Sequence, residues 1–309
     1  MKACVDIGGT KIAVSLVEDG SRTLLARQSE PTLKTGNNDA VALQVLRLIE
    51  AAGRTAGVAP ERIAGVGVSS TGPFVMRDGC AELATPNICG GLAGPARGLP
   101  NNWLTAPMEA PLRARFANVR MENDAVAAME AERRWGALQG LDHCAYVTWS
   151  TGVGVGLCVD GRPLRGKNGN AGHAGHSFVA DDDNLSALCG CGNFGDVEAL
   201  AAGTSIARRF DTSAAELFAT ARSGDAHAMA LVDALCRVMG RLLYNLIVTL
   251  DLQRISLGGS VFWHNREMLL PRLQAQIDGK LPTLTAGVAL VPAGLGEAVG
   301  DYAALALLD

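Results

Sequence analysis

The stretch ACVDIGGTKIAVSLV, residues 3–17, decides the fold class of this chain. Apolar and small residues precede GGTK and resume after it, which is typical of two strands joined by a tight glycine turn. Residues 21–28 extend the pattern to a third strand. A helical run from residue 38 to residue 57 and the apolar segment IAGVGVS, residues 63–69, follow. This order predicts a mixed α/β sheet with a helical crossover.

The opening order returns in the second half of the chain. The segment CAYVTWS, residues 144–150, is followed by the glycine turn TGVGVG and two further short strands. A duplicated unit predicts two similar domains facing a cleft, joined by a hinge. We place an N-terminal domain at residues 1–118, completed by a C-terminal helix at 296–309, and a C-terminal domain at residues 119–295.

Composition excludes several classes of protein. The 309 residues are 48% hydrophobic, and 27 Lys and Arg stand against 31 Asp and Glu. A net charge of -4 offers no basic field for nucleic acid, so we expect a small-molecule ligand instead. The start MKACVDIGG lacks a leader pattern and no long apolar stretch follows, which predicts a cytoplasmic protein without a membrane partner. We also expect a homodimer.

The turn DIGGTK is a candidate phosphate site. Gly8 and Gly9 let the backbone approach an oxygen anion closely, while Thr10 and Lys11 supply a hydroxyl and an ammonium donor after Asp6. A plain hairpin with no ligand explains the same residues equally well.

Two further glycine turns favour the phosphate interpretation. The turn STGVGVG, residues 150–156, holds Thr151, Gly152 and Gly154, and LGGSV, residues 257–261, holds Gly258 and Gly259. Three such turns suit one polyphosphate with its nucleoside. None has the spacing of a P-loop or of a dinucleotide-binding G-x-G-x-x-G turn.

Two more motifs carry candidate chemistry. In END, residues 122–124, Asp124 opens a helix, so it is either an N-cap or a carboxylate placed for proton transfer. The Cys-x-Cys pair of CGCGNFGD, residues 189–196, lies thirteen positions after a histidine, and such a set suits tetrahedral Zn²⁺. A metal-free loop with two buried thiols is the alternative.

These motifs together resemble those of the ROK family of sugar kinases and repressors. DIGGTK, END, STGVGVG, GNAGHAGH and CGCGNFGDVEALAAG stand in that family's order and spacing over nearly the whole chain. The resemblance implies the actin-like ATPase fold, of hexokinase type, in which a ribonuclease H-like unit is duplicated. The family's repressors carry a winged helix-turn-helix before the first motif, whereas five residues precede Asp6 here, so we expect a kinase.

The resemblance also implies roles for single residues. Asp124 would be the catalytic base, with Asn123 touching the sugar, and Asp6 would hold Mg²⁺ through water beside ATP. His176, Cys189, Cys191 and Asp196 would bind structural zinc, although Asp196 stands where the family has cysteine. A carboxylate is a harder ligand than a thiolate, so we expect weaker zinc binding. The knuckle would hold Glu198 against the sugar.

The substrate class follows from the resemblance at His173. Family glucokinases have glutamate at this position, whereas bacterial N-acetylmannosamine kinases of the family have histidine, and imidazole offers one donor and one acceptor. A solvent-facing loop residue is the alternative. Asn87 and Trp103 either contact the sugar or brace a loop.

Three functional hypotheses follow. The first is an ATP-dependent sugar 6-kinase acting on N-acetylmannosamine, or alternatively on glucose. The second is a non-catalytic sugar-sensing regulator without a DNA-binding domain, and the third is a kinase using polyphosphate as donor.

Overall fold

The computed structural model describes residues 1–93, 98–179 and 186–308. The chain divides into two compact units. Unit 1 comprises Met1–Ala131, Arg165–Asn170 and Gly300–Asp309, and unit 2 comprises Glu132–Leu164 and Ala171–Val299. This division lies later than the sequence-based boundary at 118/119, because the strand formed by residues 119–123 pairs within the sheet of unit 1.

The strands of the described residues form two five-stranded sheets and one three-stranded sheet. They are β1 (Lys2–Ile7), β2 (Lys11–Val17), β3 (Leu25–Pro31), β4 (Gly65–Ser70), β5 (Phe74–Arg77), β6 (Cys80–Leu83), β7 (Ala106–Pro107), β8 (Val119–Asn123), β9 (Cys144–Trp149), β10 (Val153–Val159), β11 (Arg162–Pro163), β12 (Arg254–Gly258) and β13 (Ala289–Pro292).

Eleven α-helices lie between and after these strands in the described residues. They are α1 (Ala40–Ala56), α2 (Glu109–Arg113), α3 (Asp124–Trp135), α4 (Val197–Ala201), α5 (Gly203–Phe210), α6 (Ala214–Arg222), α7 (Ala226–Leu250), α8 (Ser260–Trp263), α9 (Arg266–Ala275), α10 (Pro282–Thr285) and α11 (Val299–Ala306). Among the described residues, no helix is both long enough and apolar enough to cross a membrane.

The two large sheets share one topology, as the repeat predicts. Unit 1 has the order β3-β2-β1-β4-β8, and unit 2 has the order β11-β10-β9-β12-β13. In each sheet an antiparallel three-strand meander continues into parallel strands, β4 and β8 in one, β12 and β13 in the other. The parallel strands need crossover connections, which the intervening helices supply.

Each sheet has its own apolar core. In unit 1, β1, β4 and α1 bury aliphatic side chains, and α11 lies so close to β4 that a Cβ on Gly67 would come 2.0 Å from the Ala304 carbonyl oxygen. In unit 2, one face of α7 is buried, including Leu235, Leu242 and Leu246. Burying each such side chain contributes about 1.5–3 kcal/mol, so this helix holds the sheet that carries the second glycine turn.

Some local expectations differ from the structure. The sequence pattern predicts a helix near residues 105–116, whereas the structure has the two-residue strand β7 followed by the short α2. Pro107 favours an extended conformation at Ala106, so the helix begins later. The sequence pattern also predicts a helix from Trp263 to about Gln276; the structure has α9 at Arg266–Ala275, preceded by the one-turn α8, which ends at Trp263. The three-stranded sheet β5-β6-β7 has no counterpart in the sequence-based prediction.

Candidate functional site

The first glycine turn joins β1 to β2 in unit 1. Its backbone is closed by a hydrogen bond from Gly8 N to Lys11 O at 2.9 Å, and the Thr32 hydroxyl donates to Gly8 O at 2.8 Å. A Cβ on Gly9 would lie 2.7 Å from the Cβ of Asn87, so only glycine allows this approach. The structure thus brings Asn87, predicted as a sugar contact, against the predicted phosphate turn.

Asp6 lies half-buried near the end of β1, just before this turn. Burial raises the pKa of its carboxyl group to about 6, with Lys11 and Arg27 opposing the rise and Asp301 adding to it. Asp6 is therefore mostly ionised at neutral pH and protonated in mild acid. Thr10 and Lys11 are exposed beside it, as a site for a charged ligand requires.

The Asn123–Asp124 pair stands where β8 ends and α3 begins in unit 1. Asn123 is buried and Asp124 is exposed. Both side chains accept a hydrogen bond from the Ala125 amide, at 3.0 Å from Asn123 Oδ1 and 2.8 Å from Asp124 Oδ1. The helix start therefore orients the Asp124 carboxylate, so the capping role and the proton-accepting role are compatible.

The residue before this pair, Glu122, is buried and forms an ion pair with Arg165. Burial raises the pKa of Glu122, against the lowering effect of the Arg165 guanidinium. Sequence reasoning assigned these two residues no role. Their pairing ties the segment Arg165–Asn170 to the end of β8.

Trp103, the second candidate sugar contact in the loop after β6, is buried, and its indole Nε1 donates to Gly36 O at 3.1 Å. These contacts fit the alternative in which Trp103 braces the loop. No sugar contact is needed to explain it.

The second glycine turn, Ser150–Gly152, joins β9 to β10 in unit 2. Ser150 N donates to Gly152 O at 2.9 Å. Gly203 N donates to Ser150 O at 2.8 Å, and the Thr204 hydroxyl donates to Thr151 O at 2.9 Å. Gly203 and Thr204 begin α5. Sequence reasoning gave neither residue a role, although Gly203 closes the last quoted motif.

The third glycine turn adjoins the second within unit 2. A Cβ on Gly258 would lie 2.4 Å from the Tyr146 hydroxyl oxygen, and one on Gly259 would lie 2.5 Å from Trp149 O. Ser260 Oγ lies 2.9 Å from Ser150 Oγ. The glycines at 258 and 259 thus let the two turns meet. Gly154 differs from the prediction, since it lies inside β10 opposite Thr148 and outside the turn.

Four candidate metal ligands cluster in unit 2. His176, Cys189, Cys191 and Asp196 each offer one ligand atom, and these atoms lie within 4.8 Å of one another. His176 Nδ1 lies 3.6 Å from Cys189 Sγ and 3.2 Å from Asp196 Oδ2, which lies 3.6 Å from Cys191 Sγ. Tetrahedral zinc, with bonds of about 2.0–2.3 Å, separates neighbouring ligand atoms by roughly 3.3–3.8 Å. The donor set therefore fits Zn²⁺.

The same atoms interact electrostatically. The hydrogen bond with Asp196 raises the pKa of His176, against the effect of burial and with help from the Glu198 charge. Burial opposes ionisation of Asp196, yet hydrogen bonds from His176 and the Ala199 amide hold the pKa of Asp196 below its ordinary value. Burial raises the pKa of the Cys189 thiol, so a bound cation would have to displace its proton.

The metal-free alternative fits this cluster less well. Cys189 is buried, but Cys191 is exposed, so the pair is not two buried thiols. Asp196 is fully buried, and one of its oxygens, Oδ1, accepts a hydrogen bond from the Ala199 amide at 2.7 Å and caps α4. The other oxygen faces the two sulfur ligands and His176 Nδ1. These four residues would hold a structural ion and with it the loop between them.

His173 and Glu198 flank this cluster. His173 is half-buried before the short 3-10 helix Ala174–His176, and its ring stacks on His176 with centroids 6.2 Å apart. It is therefore not fully solvent-facing. The carboxylate of Glu198 accepts a hydrogen bond from Val153 N at 3.0 Å, which places it beneath the second glycine turn.

Comparison with known proteins gives consistent results. The sequence model of the ROK family matches residues 2–309. The N-acetylmannosamine kinase of Citrobacter koseri is 35% identical over 263 residues, covering 83% of this chain and 82% of that enzyme.

Two solved structures are similar over almost their full length. The crystal structure of the ROK hexokinase from Thermus thermophilus has a TM-score of 0.76 and 32% identity, and the match covers 99% of this chain and 97% of that one. A ROK family glucokinase from Streptomyces griseus, in complex with glucose and AMPPNP, has a TM-score of 0.72 and 26% identity, with 98% and 97% covered.

These likenesses confirm the fold expected from the motifs. The duplicated sheets are those of the actin-like ATPase fold. The resemblance seen in the sequence is also confirmed, because the family match extends over both glycine-turned sheets and the ligand cluster. The chain belongs to the ROK family.

Proposed function

We propose that this protein is a sugar kinase that transfers the γ-phosphoryl group of ATP to the 6-hydroxyl of a hexose or N-acylhexosamine, with N-acetylmannosamine as the leading substrate. The observation that carries the proposal is Asp124, an exposed carboxylate that follows β8 and accepts a hydrogen bond from the Ala125 amide in the first turn of α3. Phosphoryl transfer asks the protein for positioning, charge stabilisation and a group that accepts the hydroxyl proton.

Candidate groups for the reaction are found in each unit. Unit 1 offers Asp124 as the proton acceptor, Asn123 as a sugar contact, and Asp6 with the exposed Thr10 and Lys11 for the metal-bound phosphates. Unit 2 offers the two adjoining glycine turns, whose backbone groups and hydroxyls suit phosphate oxygens. Mg²⁺ bound with the nucleotide would neutralise charge on the transferring group.

The choice of ATP as donor has support from one structural relative. The Streptomyces griseus glucokinase was crystallised with AMPPNP, an ATP analogue, and with glucose. Glycine turns alone suit a polyphosphate equally well, so a polyphosphate donor is an outcome for the experiment to decide.

The choice of N-acetylmannosamine rests on His173 and on one relative. The Citrobacter koseri enzyme, 35% identical, is named an N-acetylmannosamine kinase. The His173 imidazole offers a donor as well as an acceptor, whereas a glutamate accepts only. The half-buried position of His173 beside His176 suits a side chain that contacts a ligand.

The test is coupled ADP release with a panel of sugars. We expect the highest kcat/KM with N-acetylmannosamine over glucose, mannose and N-acetylglucosamine, and we expect His173→Glu to shift preference towards glucose. If the wild type prefers glucose, glucose replaces N-acetylmannosamine as the proposed substrate. Replacing ATP by polyphosphate tests the donor.

The second candidate function is a sugar sensor without catalysis, since the family includes transcriptional regulators. A sensor would bind a sugar in a calorimetric titration and release no sugar-dependent ADP at any concentration. Asp124 and the three glycine turns speak against it, because a sensor needs neither a proton acceptor nor phosphate-binding turns.

A further inference from the structure

A nine-residue stretch, DVEALAAGT at 196–204, runs beneath the second glycine turn; we call it the bracing segment. It starts at the candidate metal ligand Asp196 and ends in the first turn of α5. Five hydrogen bonds join it to the turn and the residues flanking the turn. Trp149 Nε1 donates to Ala201 O at 2.7 Å, and Gly203 N donates to Ser150 O at 2.8 Å. Thr204 donates twice to Thr151 O, from Oγ1 at 2.9 Å and from N at 3.4 Å, and Val153 N donates to Glu198 Oε2 at 3.0 Å.

Glu198 is the one charged side chain among these contacts. Besides accepting the Val153 amide proton, its Oε2 would lie 2.6 Å from a Cβ on Gly152. The carboxylate therefore occupies the space beneath the turn that a side chain at 152 would need. Glycine at this position is explained by Glu198 as well as by the approach of a phosphate.

The other end of Glu198 touches the ligand cluster. Its Oε1 lies 3.6 Å from Cys189 Sγ. Asp196, two residues earlier, reaches the cluster with Oδ2 and caps α4 with Oδ1, and α4 carries Glu198. A change at the cluster thus has a short physical route, through the cap and the helix, to the amide of Val153.

We infer that Glu198 is a positioning residue for the second glycine turn, acting through the Val153 amide, and that the ligand cluster holds it in place. This role differs from the sugar contact that the resemblance implies, because it concerns the nucleotide. The inference rests on the proposed function in one respect, namely that this turn takes the phosphates of a nucleotide.

The test measures binding of AMPPNP with Mg²⁺ by calorimetry in the absence of sugar. Glu198→Ala loses the acceptor for Val153 N, and we expect about tenfold weaker binding from a lost hydrogen bond to a charged group. Glu198→Gln retains an oxygen for the same amide and should bind within about threefold of the wild type. Glu267→Ala, which removes an exposed carboxylate from α9, is the matched control and should bind like the wild type.

A second arm tests the link to the cluster. The metal is removed with a chelator, and the chelator is dialysed away before AMPPNP and Mg²⁺ are added. This treatment should weaken AMPPNP binding by the wild type and leave binding by Glu198→Ala unchanged, since the link is already broken. Thr204→Val, which removes a different brace from Thr151 O, should also weaken binding and keeps the test open if Glu198→Ala fails to fold.

The outcomes separate the inference from the proposed function. Wild-type protein that binds AMPPNP while Glu198→Ala binds equally well overturns the inference alone. Equal weakening in the Gln and Ala variants also overturns it, because the lost charge would then explain the effect. If AMPPNP binding by the wild type is unchanged after the metal is removed, the ligand cluster does not hold Glu198 in place and that part of the inference is overturned. If the wild type binds no AMPPNP, the proposed function is overturned together with the inference.

Discussion

The first and second glycine turns occupy the same place in two sheets of the same strand order, yet they are built differently. In unit 1 the turn is held by its own backbone and by Thr32, and charged or polar side chains stand on it. In unit 2 the turn lies on the bracing segment and carries no charged residue of its own. The same strand order thus carries two different turns. The turn in unit 1 has charged side chains, whereas the backbone of the turn in unit 2 is held by hydrogen bonds from the bracing segment.

The residues near the ends of matching strands also differ between the two units, with carboxylates in unit 1 only. Asp6 is the fifth residue of β1, and Thr148 is the fifth residue of β9. The edge strand β8 ends at Asn123 and is followed by Asp124, whereas the matching edge strand β13 ends at Pro292 and is followed by Ala293. At both positions the carboxylate of the proposed site therefore belongs to unit 1.

The largest expected effect is on turnover, when the carboxylate that only unit 1 has at this position, Asp124, is replaced. Asp124→Asn should lower turnover at least about a hundredfold, because the amide no longer accepts the hydroxyl proton. Sugar affinity should stay near the wild-type value, as measured by calorimetry beside steady-state kinetics.

Asp39→Asn is the matched control, because Asp39 also precedes a helix of unit 1 and makes no side-chain cap hydrogen bond there. An Asp124→Asn protein that keeps most of its turnover would remove Asp124 from the proposed role.

A smaller effect is expected at Asp6, on the pH dependence of nucleotide binding. Its raised pKa, about 6, means that roughly a tenth of Asp6 is ionised at pH 5. Binding of AMPPNP with Mg²⁺ should weaken about tenfold from pH 7 to pH 5, and Asp6→Asn should bind weakly with no such dependence.

The pH dependence of folding stability has the opposite sign to that of nucleotide binding. A carboxyl group with a raised pKa destabilises the fold as it ionises, so its contribution is lost as pH rises from about 4 through 6. Asp6→Asn should remove this fall in unfolding free energy. Thr148→Val, at the matching strand position of unit 2, should keep both pH dependences, and loss of either there would contradict the assignment to Asp6.

The smallest effect concerns Asp196. Asp196→Cys should bind zinc more tightly, because thiolate is a softer ligand than carboxylate, as measured by competition with a chelator. The metal-free variant should be less stable by about 1 kcal/mol in urea unfolding, because the cap on the Ala199 amide is lost. Tighter zinc binding by the wild type than by Asp196→Cys would contradict Asp196 as the weaker ligand.

Much of the fold could be predicted because it depends on patterns of residues that are close together in the sequence. Alternating apolar residues around GGTK and TGVGVG indicated both meanders, and the repeat indicated a duplicated fold. The sheet β5-β6-β7 was missed, since its strands are four residues or fewer and lack a strong period, and α2 is shorter than the helix predicted near residues 105–116. Homodimer formation, cytoplasmic location and the absence of nucleic-acid and membrane partners stay predictions.

The candidate site was predicted in part. His176 and the Cys-x-Cys pair were predicted as metal ligands because these residue types in one segment are typical of zinc sites. Asp196 was predicted as the fourth ligand from the resemblance to the ROK family. Gly203 and Thr204 were missed as supports, since small polar residues at a helix start have many ordinary uses.

By itself the sequence determined the two repeated groups of three strands, the glycine turns and the residue types available for phosphate, metal and proton chemistry, because these depend on neighbours along the chain. Only the tertiary structure decided that Asn87 lies against Gly9 and that Glu198 supports Val153 from 45 residues away. The physical reason is that such contacts depend on where packed sheets bring distant segments, and no local pattern contains that distance.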